Sequence, residues 1–322
     1  MTSVRPSPDP VYVLRGSNSP VTCVHFPTCL AGHLYSGTQS GKVFLWNLET
    51  RRISDTLDGH GGSTILSVVD VDSSTLLTQG RDGLVILWEN KETKWQPENH
   101  FKCTSQSFCA SAIVKCSNSN ASLLAVPSDV TSQVDIFDLD TGEKVTFFKP
   151  DSSRTKYGMC MAIKLVSPPS SDQCHQVLIG YESGHVALWD TKTSKMIDSL
   201  ELYKESVMCL DYSSQMSKGL AGSADNTLKS FSIYENNKLT LGPEFNATNP
   251  GFSKIVFRPD SKIVTVAGWD CNIRIFSFKK LLKPLAVLSY HKQNVQSVDF
   301  SQCNLLACGS QDQLISMWDI YR

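Results

Sequence analysis

One pattern recurs seven times along the 322-residue chain and constrains the fold more than any other feature. Each copy ends in an aromatic residue that closes a short run of alternating or apolar residues. The seven aromatic positions are Trp46, Trp88, Phe137, Trp189, Phe231, Phe276 and Trp318. They follow one another at intervals of 42, 49, 52, 42, 45 and 42 residues. A period of this size is typical of repeat architectures, in which each copy is one small unit of supersecondary structure.

A turn-forming residue stands six positions before the aromatic residue in six of the seven copies. These residues are Ser40, Asp82, Ser183, Asp225, Asp270 and Asp312. Each lies among small residues between two short β-rich runs, a pattern that predicts a hairpin. The third copy differs, because its Asp129 comes eight residues before Phe137. We therefore expect a longer turn in that copy.

Each copy also contains one β-rich run before the hairpin, and every copy but the last has another after the aromatic residue. A full unit therefore holds about four strands. No segment shows the hydrophobic period of a helix. Seven units of four short strands predict an all-β protein with a single seven-bladed β-propeller. A closed ring of blades protects the strand edges that an isolated blade would expose.

The two ends of the chain favour closure of this ring. The last copy has no β-rich run after its aromatic residue, whereas residues 10–14 resemble such a run and precede the first copy. We expect this N-terminal strand to complete the last blade. The predicted organisation is a flexible N-terminal tail over residues 1–9 and one propeller over residues 10–322.

Composition limits the classes of function. Lys and Arg total 30 and Asp and Glu total 31, and this balanced charge argues against a protein that binds nucleic acid. No apolar stretch is long enough to span a membrane, and no signal-peptide pattern opens the chain. We expect a cytoplasmic and nuclear protein with no membrane partner.

The sequence contains no motif that supports catalysis. The 7 histidines lack metal-ligand spacing, and the 11 cysteines contain no C-x-x-C pair. Neither a nucleophile elbow nor a phosphate-binding loop occurs. The turn aspartates would lie far apart around the ring, and each is needed in its own turn. We expect no catalytic residue, no metal site, no cofactor and no enzymatic activity.

The repeats resemble those of the WD-repeat family. Trp189-Asp190 and Trp318-Asp319 are WD dipeptides, and Gly59-His60 is a GH pair. The resemblance implies that the second copy carries the structural hydrogen-bond tetrad of the family. Its members would be His60, Thr78, Asp82 and Trp88.

The other copies depart from this tetrad. The seventh copy retains His291, Asp312 and Trp318 but has Cys308 at the hydroxyl position. The remaining copies keep fewer of its members. Their blades are therefore expected to rely on packing.

Longer segments, among them LDGHGG, GYESGHVALWD and RPDSKIVTVAGWD, are similar to a smaller group of G-protein-β-like WD-repeat proteins that includes the fungal ASTRA-associated subunit. This resemblance implies a non-catalytic protein-interaction scaffold. Its role would be that of an adaptor in the co-chaperone-assisted maturation and stability of phosphatidylinositol 3-kinase-related protein kinases. The implied partners are that co-chaperone complex and the kinases themselves.

Two further expectations concern partners. Nine residues precede the first predicted strand and leave no room for coiled-coil heptads, so that a G-protein γ subunit is not expected. We also expect a monomeric propeller. The alternative function is that of a substrate receptor of a cullin-type ubiquitin ligase. Trp189-Asp190-Thr191-Lys192 resembles the W-D-x-[RK] ending of those receptors.

The residue before each turn former is predicted to point to solvent on one face of the ring. Trp269 is a large aromatic residue at this position, and Arg81 is a planar multiple donor, so that both favour contact with a protein. The other candidate protein-binding residues are Glu182, Gln39 and Gln311. In the alternative interpretation, Trp269 packs over a neighbouring blade and Arg81 pairs with a local acid.

Two longer segments form a second candidate surface. Residues 91–102 and 167–175 are predicted to be inserted loops, and the first would expose Trp95 beside two lysines. Long loops on a rigid scaffold often carry function. The alternative is that both are tolerated insertions.

Overall fold

The computed structural model describes residues 7–92, 94–104, 106–115, 122–151, 153, 155–166, 176–234, 236–279 and 282–320. In these residues, 28 strands form seven four-stranded antiparallel sheets, and no helix occurs. No helix long and apolar enough to cross a membrane is therefore found in them. The predicted all-β, seven-bladed β-propeller is confirmed.

Each sheet is one blade. The chain begins with β1 (Tyr12–Leu14), which belongs to the last blade. Blade 1 consists of β2 (Val21–His25), β3 (His33–Thr38), β4 (Lys42–Asn47) and β5 (Arg52–Asp58). Blade 2 consists of β6 (Ile65–Asp70), β7 (Thr75–Gly80), β8 (Leu84–Lys91) and β9 (Lys94–Lys102). Blade 3 consists of β10 (Ala112–Lys115), β11 (Ser122–Pro127), β12 (Val134–Asp138) and β13 (Lys144–Phe148).

The remaining blades follow the same order, with the innermost strand first. Blade 4 consists of β14 (Cys160–Val166), β15 (Gln176–Tyr181), β16 (His185–Asp190) and β17 (Met196–Glu201). Blade 5 consists of β18 (Val207–Ser213), β19 (Lys218–Ser223), β20 (Thr227–Ile233) and β21 (Leu239–Asn246). Blade 6 consists of β22 (Phe252–Phe257), β23 (Ile263–Gly268), β24 (Asn272–Ser277) and β25 (Lys283–Ser289). Blade 7 consists of β26 (Val295–Phe300), β27 (Leu305–Ser310), β28 (Ile315–Asp319) and β1.

The N-terminal strand closes the last blade, as the sequence predicts. Tyr12 of β1 lies opposite Met317 of β28, and Leu14 lies opposite Ile315. The amide of Val11 extends this pairing by donating to the carbonyl of Met317 at 2.8 Å. On the inner side of the ring, β26 also contacts β2.

The core lies between the blades. Within the described residues, buried apolar side chains form seven clusters, each drawn from two consecutive blades. Six of the seven recurrent aromatic residues are buried, whereas Phe137 is half-buried. The repeated aromatic residue thus fills the space between neighbouring sheets, and this explains its recurrence in the sequence.

Charged side chains also join neighbouring blades near the ends of their innermost strands. Lys164 of blade 4 pairs with Asp211 of blade 5 at 2.6 Å, and Asp211 in turn accepts the backbone N–H of Phe257 in blade 6 at 2.8 Å. The equivalent acceptor at the ring closure is Asp299 of blade 7, which accepts the N–H of Phe26 in blade 1 at 2.8 Å.

The predicted inserted loop at residues 91–102 is wrong. Residue 91 ends β8 and residues 94–102 form β9, and the two strands form a long hairpin at the outer edge of blade 2. Trp95 is half-buried and packs edge-on against Tyr35, with 6.5 Å between the ring centroids. The segment resembles a loop in the sequence because most side chains of β9 are exposed and polar. The other predicted loop, residues 167–175, lies outside the described residues.

Candidate protein-binding face

The five candidate residues occupy equivalent positions in five blades. In each case the backbone N–H donates to the carbonyl of the residue that precedes the innermost strand of the same blade. The N···O distances are 2.9 Å for Gln39, Arg81 and Glu182, 3.1 Å for Trp269 and 3.0 Å for Gln311. All five residues are exposed. They lie on one face of the ring, which we call the turn face because it carries the turns between the second and third strands.

Arg81 stacks on an aromatic ring, and no acid among the described residues forms an ion pair with it. Its guanidinium carbon lies 4.4 Å from the ring centroid of Phe108, a distance typical of a cation–π contact. Phe108 belongs to the connection between β9 and β10 and is 62% exposed. Sequence reasoning missed Phe108, although a single aromatic residue in this polar connection is its visible signal. The two side chains form an exposed apolar and cationic surface.

Trp269 is partly packed against its own blade. The ring covers Gly251, where an added Cβ would lie 2.1 Å from the nearest ring atom. Gly251 also has a φ of +91°, a backbone conformation that favours glycine. Trp269 nevertheless remains 36% exposed, so that part of the indole is available to a partner.

The turn of blade 3 is longer than the others, as the position of Asp129 predicts. The Ser128 amide donates to the carbonyl of Gln133 at 2.9 Å, which closes a wider turn. The hydroxyl of Ser132 anchors the turn by donating to the Gly158 carbonyl at 2.6 Å. Val130 at the tip is 44% exposed and adds a second apolar side chain to the blade 3 side of the turn face.

The other candidates differ in how much of the side chain is free. The Glu182 carboxylate accepts the backbone N–H of Met159 at 3.0 Å, so that part of its role is local. Gln39 and Gln311 are exposed on blades 1 and 7. The five residues thus share a face but are spread around the ring, and Arg81 with Phe108 is the pair that the fold brings together.

The four tetrad residues of blade 2 form a continuous hydrogen-bonded chain. His60 Nδ1 lies 2.8 Å from Asp82 Oδ2, and His60 Nε2 lies 2.7 Å from Thr78 Oγ1. Trp88 Nε1 donates to the same hydroxyl at 2.8 Å. The turn residue is thereby tied to the third strand through buried groups, which is a structural role.

Blade 7 builds the same chain with a hydroxyl from a different strand. His291 Nδ1 lies 2.9 Å from Asp312 Oδ2, and His291 Nε2 lies 2.7 Å from Ser316 Oγ. Trp318 Nε1 also donates to Ser316 Oγ at 2.7 Å. Cys308 occupies the position of Thr78, but Ser316, directly opposite it on β28, supplies the hydroxyl. The expectation that this blade lacks the hydroxyl is therefore corrected.

Blade 6 replaces the tetrad by an ion pair. Arg274 donates to Asp270 from Nη1 at 3.0 Å and from Nη2 at 2.5 Å. Asn249 and Asn272 each donate to Asp270 Oδ2 at 3.1 Å. Burial would raise the pKa of Asp270, but the hydrogen bonds from Arg274, Asn249 and Asn272 and the charge of Arg274 lower it to about 2. This blade does not rely on packing alone.

The W-D-x-K segment of blade 4 has a local structural role. Asp190 Oδ1 accepts the backbone N–H groups of Lys192 and Thr193, both at 2.8 Å. Asp138 accepts two backbone N–H groups in the same way after the third strand of blade 3, at 2.9 Å. The aspartate therefore stabilises a turn that recurs in this propeller.

The described residues contain no group of three or more His, Cys, Asp and Glu side chains that could hold a metal ion. The polar side chains of the turn face instead lie beside exposed apolar groups. An arrangement of this kind is suited to contact with another protein.

Comparison with known proteins gives matches along the whole chain. The family model described as WD domain, G-beta repeat matches residues 8–47, 51–89, 244–277 and 282–319. The model described as LRRK2 beta propeller matches residues 98–247. The chain is 38% identical over 321 residues to the guanine nucleotide-binding protein subunit beta-like protein 1 of Mus musculus, which covers 98% of this chain and 97% of that relative.

Fungal relatives are also similar over their full length. The chain is 29% identical over 374 residues to ASTRA-associated protein 1 of Schizosaccharomyces pombe, with 98% of this chain and 99% of that relative covered. It is 28% identical over 375 residues to ASTRA-associated protein 1 of Schizosaccharomyces japonicus, with the same coverage.

Proposed function

Because the chain belongs to the WD-repeat family, and within it to the group that contains guanine nucleotide-binding protein subunit beta-like protein 1 and ASTRA-associated protein 1, we propose that it is an adaptor in co-chaperone-assisted maturation of phosphatidylinositol 3-kinase-related protein kinases. In this proposal it is a non-catalytic scaffold of the cytoplasm and nucleus that holds the co-chaperone complex and the kinase chains.

One observation supports an adaptor most directly. The turn face exposes Phe108 under the guanidinium of Arg81, with Val130 on the same side and Trp269 on blade 6. Aromatic residues and arginine are enriched among the residues that dominate binding energy at protein interfaces. The blades behind them are rigidly packed, so that binding requires little ordering of the scaffold.

The proposed role is tested by depleting the protein from cells and re-expressing it, with the abundance of the kinases as the readout. We expect depletion of the protein to lower the abundance of these kinases in cells while their messenger RNA levels stay constant. The wild-type chain should restore the kinases, whereas the double variant Arg81→Ala, Phe108→Ala should not.

A matched control variant is available on the outer edge of blade 3. Phe147 is 50% exposed on β13 and lies under Lys144, with 5.3 Å from Nζ to the ring centroid. Phe147→Ala removes a similar exposed cation–π pair away from the turn face and should rescue fully. Equal rescue by both variants would exclude the turn face, and unchanged kinase levels after depletion would overturn the function.

The ubiquitin-ligase alternative predicts a different result. Depletion of a substrate receptor should raise the abundance of a substrate, and affinity purification should recover a cullin. Since Asp190 has a turn-stabilising role here, the W-D-x-K segment gives this alternative little support.

A further inference from the structure

A cavity of about 330 Å³ opens between blades 5 and 6, at the periphery of the ring. Its walls come from the end of β21, from β24 and from the outermost strand β25. Phe245 and Phe276 form one wall with their rings edge to face, 4.9 Å between centroids. Val287 of β25 lies opposite Arg274 of β24, lines the same cavity and is 46% exposed at its rim.

The polar end of this cavity is the ion pair that replaces the tetrad in blade 6. The side chains of Arg274 and Asp270 are only 9% and 10% exposed. Because Asp270 accepts from Arg274, Asn249 and Asn272, its carboxylate oxygens are occupied. The two charges of the pair offset each other, so that the cavity carries no net charge at this end.

Arg274 has donors to spare. A guanidinium carries five N–H bonds, and two of those of Arg274 go to Asp270. Among the described residues, Asp270 is the one hydrogen-bond acceptor of Arg274. Arg274 is buried and lines the cavity. Its remaining N–H groups therefore favour a ligand that carries an oxygen acceptor.

The shape and the walls restrict the occupant further. A volume of about 330 Å³ is near the lower end of the range for ligand sites, which suits one large side chain rather than a nucleotide cofactor. Aromatic walls favour an aromatic ring in edge-to-face contact. A cationic side chain would be repelled by Arg274, and a doubly charged phosphate group would be repelled by Asp270.

The geometry points to this cavity as a docking site for an uncharged tyrosine side chain that projects from a partner protein. The ring would lie between the phenylalanine wall and Val287, and the phenolic oxygen would accept a hydrogen bond from Arg274. The inference holds whichever protein supplies the tyrosine, so that it does not rest on the kinase clients proposed above.

In the first test, p-cresol, the analogue of a tyrosine side chain, is added to methyl-labelled protein, and the methyl signals are followed by NMR. We expect the largest saturable chemical-shift changes at the methyl groups of Thr248 and Val287, which line the cavity. Toluene, which lacks the oxygen, should bind about tenfold more weakly. p-Cresyl phosphate should not bind. Equal affinity for toluene would remove the role of Arg274, and changes spread over the whole surface would overturn the site.

An obstructed cavity provides the control. Val287→Trp places a larger side chain at the exposed rim and should abolish p-cresol binding. Val145→Trp makes the same substitution on β13 of blade 3, where Val145 is 59% exposed and lies outside the cavity, and should leave binding unchanged. Thr248→Trp obstructs the cavity from the segment after β21 and replaces Val287→Trp if that variant does not fold. Binding that persists in a folded, obstructed variant would overturn the proposal.

The second test identifies the occupant in cells. A photoreactive p-benzoylphenylalanine is placed at position 285, which is 36% exposed on β25 beside the cavity, and the crosslinked partner peptide is sequenced by mass spectrometry. We expect a peptide that contains tyrosine, and we expect substitution of that tyrosine by phenylalanine to lower the crosslinking yield about tenfold. A crosslinked peptide without tyrosine, or a yield that the phenylalanine substitution leaves unchanged, would overturn the proposal.

Discussion

His25 Nε2 lies 2.6 Å from Asp70 Oδ1, and this contact joins the innermost strand of blade 1 to that of blade 2. The other ring nitrogen lies 3.4 Å from Asp299 of blade 7. Burial opposes the charged form of His25, but its hydrogen bonds with Asp299 and Asp70 and their charges raise its pKa to about 9. Asp70 is also buried, yet hydrogen bonds from His25 and Thr28 hold its pKa well below the ordinary value. One histidine therefore links three blades at the place where the ring closes.

The His25 link predicts a pH-dependent stability. Because the folded pKa of His25 lies above its ordinary 6.5, its contribution is complete below about pH 6.5 and is lost as the pH rises through 9. The contribution of Asp70 is present above pH 3.8 and is lost as the pH falls. We expect His25→Gln to lower the free energy of unfolding by up to about 3 kcal/mol at pH 6. Urea denaturation should show this difference shrinking towards pH 10.

His100 provides the control for this prediction. It is exposed on β9, so that His100→Gln should leave the free energy of unfolding unchanged at each pH. A constant difference between wild type and His25→Gln across the same pH range would contradict the charged link.

The role of the Ser316 hydroxyl predicts that a hydroxyl at position 308 can partly restore the stability lost when Ser316 is replaced. Ser316→Ala leaves His291 and Trp318 without their shared partner and should lower the free energy of unfolding by about 1 to 3 kcal/mol. Adding Cys308→Thr would place a hydroxyl at the position that Thr78 holds in blade 2. We expect the double variant to recover about half of the loss in thermal denaturation. No recovery would mean that the two positions are not interchangeable.

The contact of Trp269 with Gly251 predicts a double-mutant effect. Gly251→Ala should lower the free energy of unfolding by about 1 to 3 kcal/mol, since the added Cβ meets the indole and the positive φ is unfavourable for alanine. In a Trp269→Ala background the steric part of this cost should vanish while the backbone part remains. Additive effects in chemical denaturation would show that the indole does not cover Gly251 in solution.

The side chain of Leu14 packs where the ring closes. This residue is 1% exposed in the cluster between blades 7 and 1, so that Leu14→Ala should cost about 2 to 5 kcal/mol. Val13 on the same strand is only half-buried, and Val13→Ala should cost clearly less. The melting temperatures of the two variants check the difference. Equal losses would mean that β1 adds backbone pairing without packing.

The propeller could be predicted because the spacing of one aromatic residue reports the period of the interblade core. The turn face could be predicted as well, since the position of Arg81 or Trp269 in the repeat follows from the turn former after it. The partners of these side chains could not. Phe108 reaches Arg81 from a connection that has no repeat position, so that no alignment of the copies reveals the contact.

Substitutions that preserve a role from a new position were also missed. Ser316 and Arg274 occupy corresponding places on the third strand, and each replaces part of the tetrad from outside its usual positions. Comparing copies residue by residue treats such a change as a loss. Only the distances across the blade show that the turn residue is still held.

The pairing of β1 with β28 has a mechanical consequence. The two strands are antiparallel, with Tyr12 opposite Met317 and Leu14 opposite Ile315. The N-terminal end of β1 and the C-terminal end of β28 therefore lie side by side. Tension applied to these two ends would break the hydrogen bonds between β1 and β28 one after another. Tension between two interior blades would instead strain several strands together. The ring should therefore resist a pull from a partner bound on its face far better than a pull on its ends.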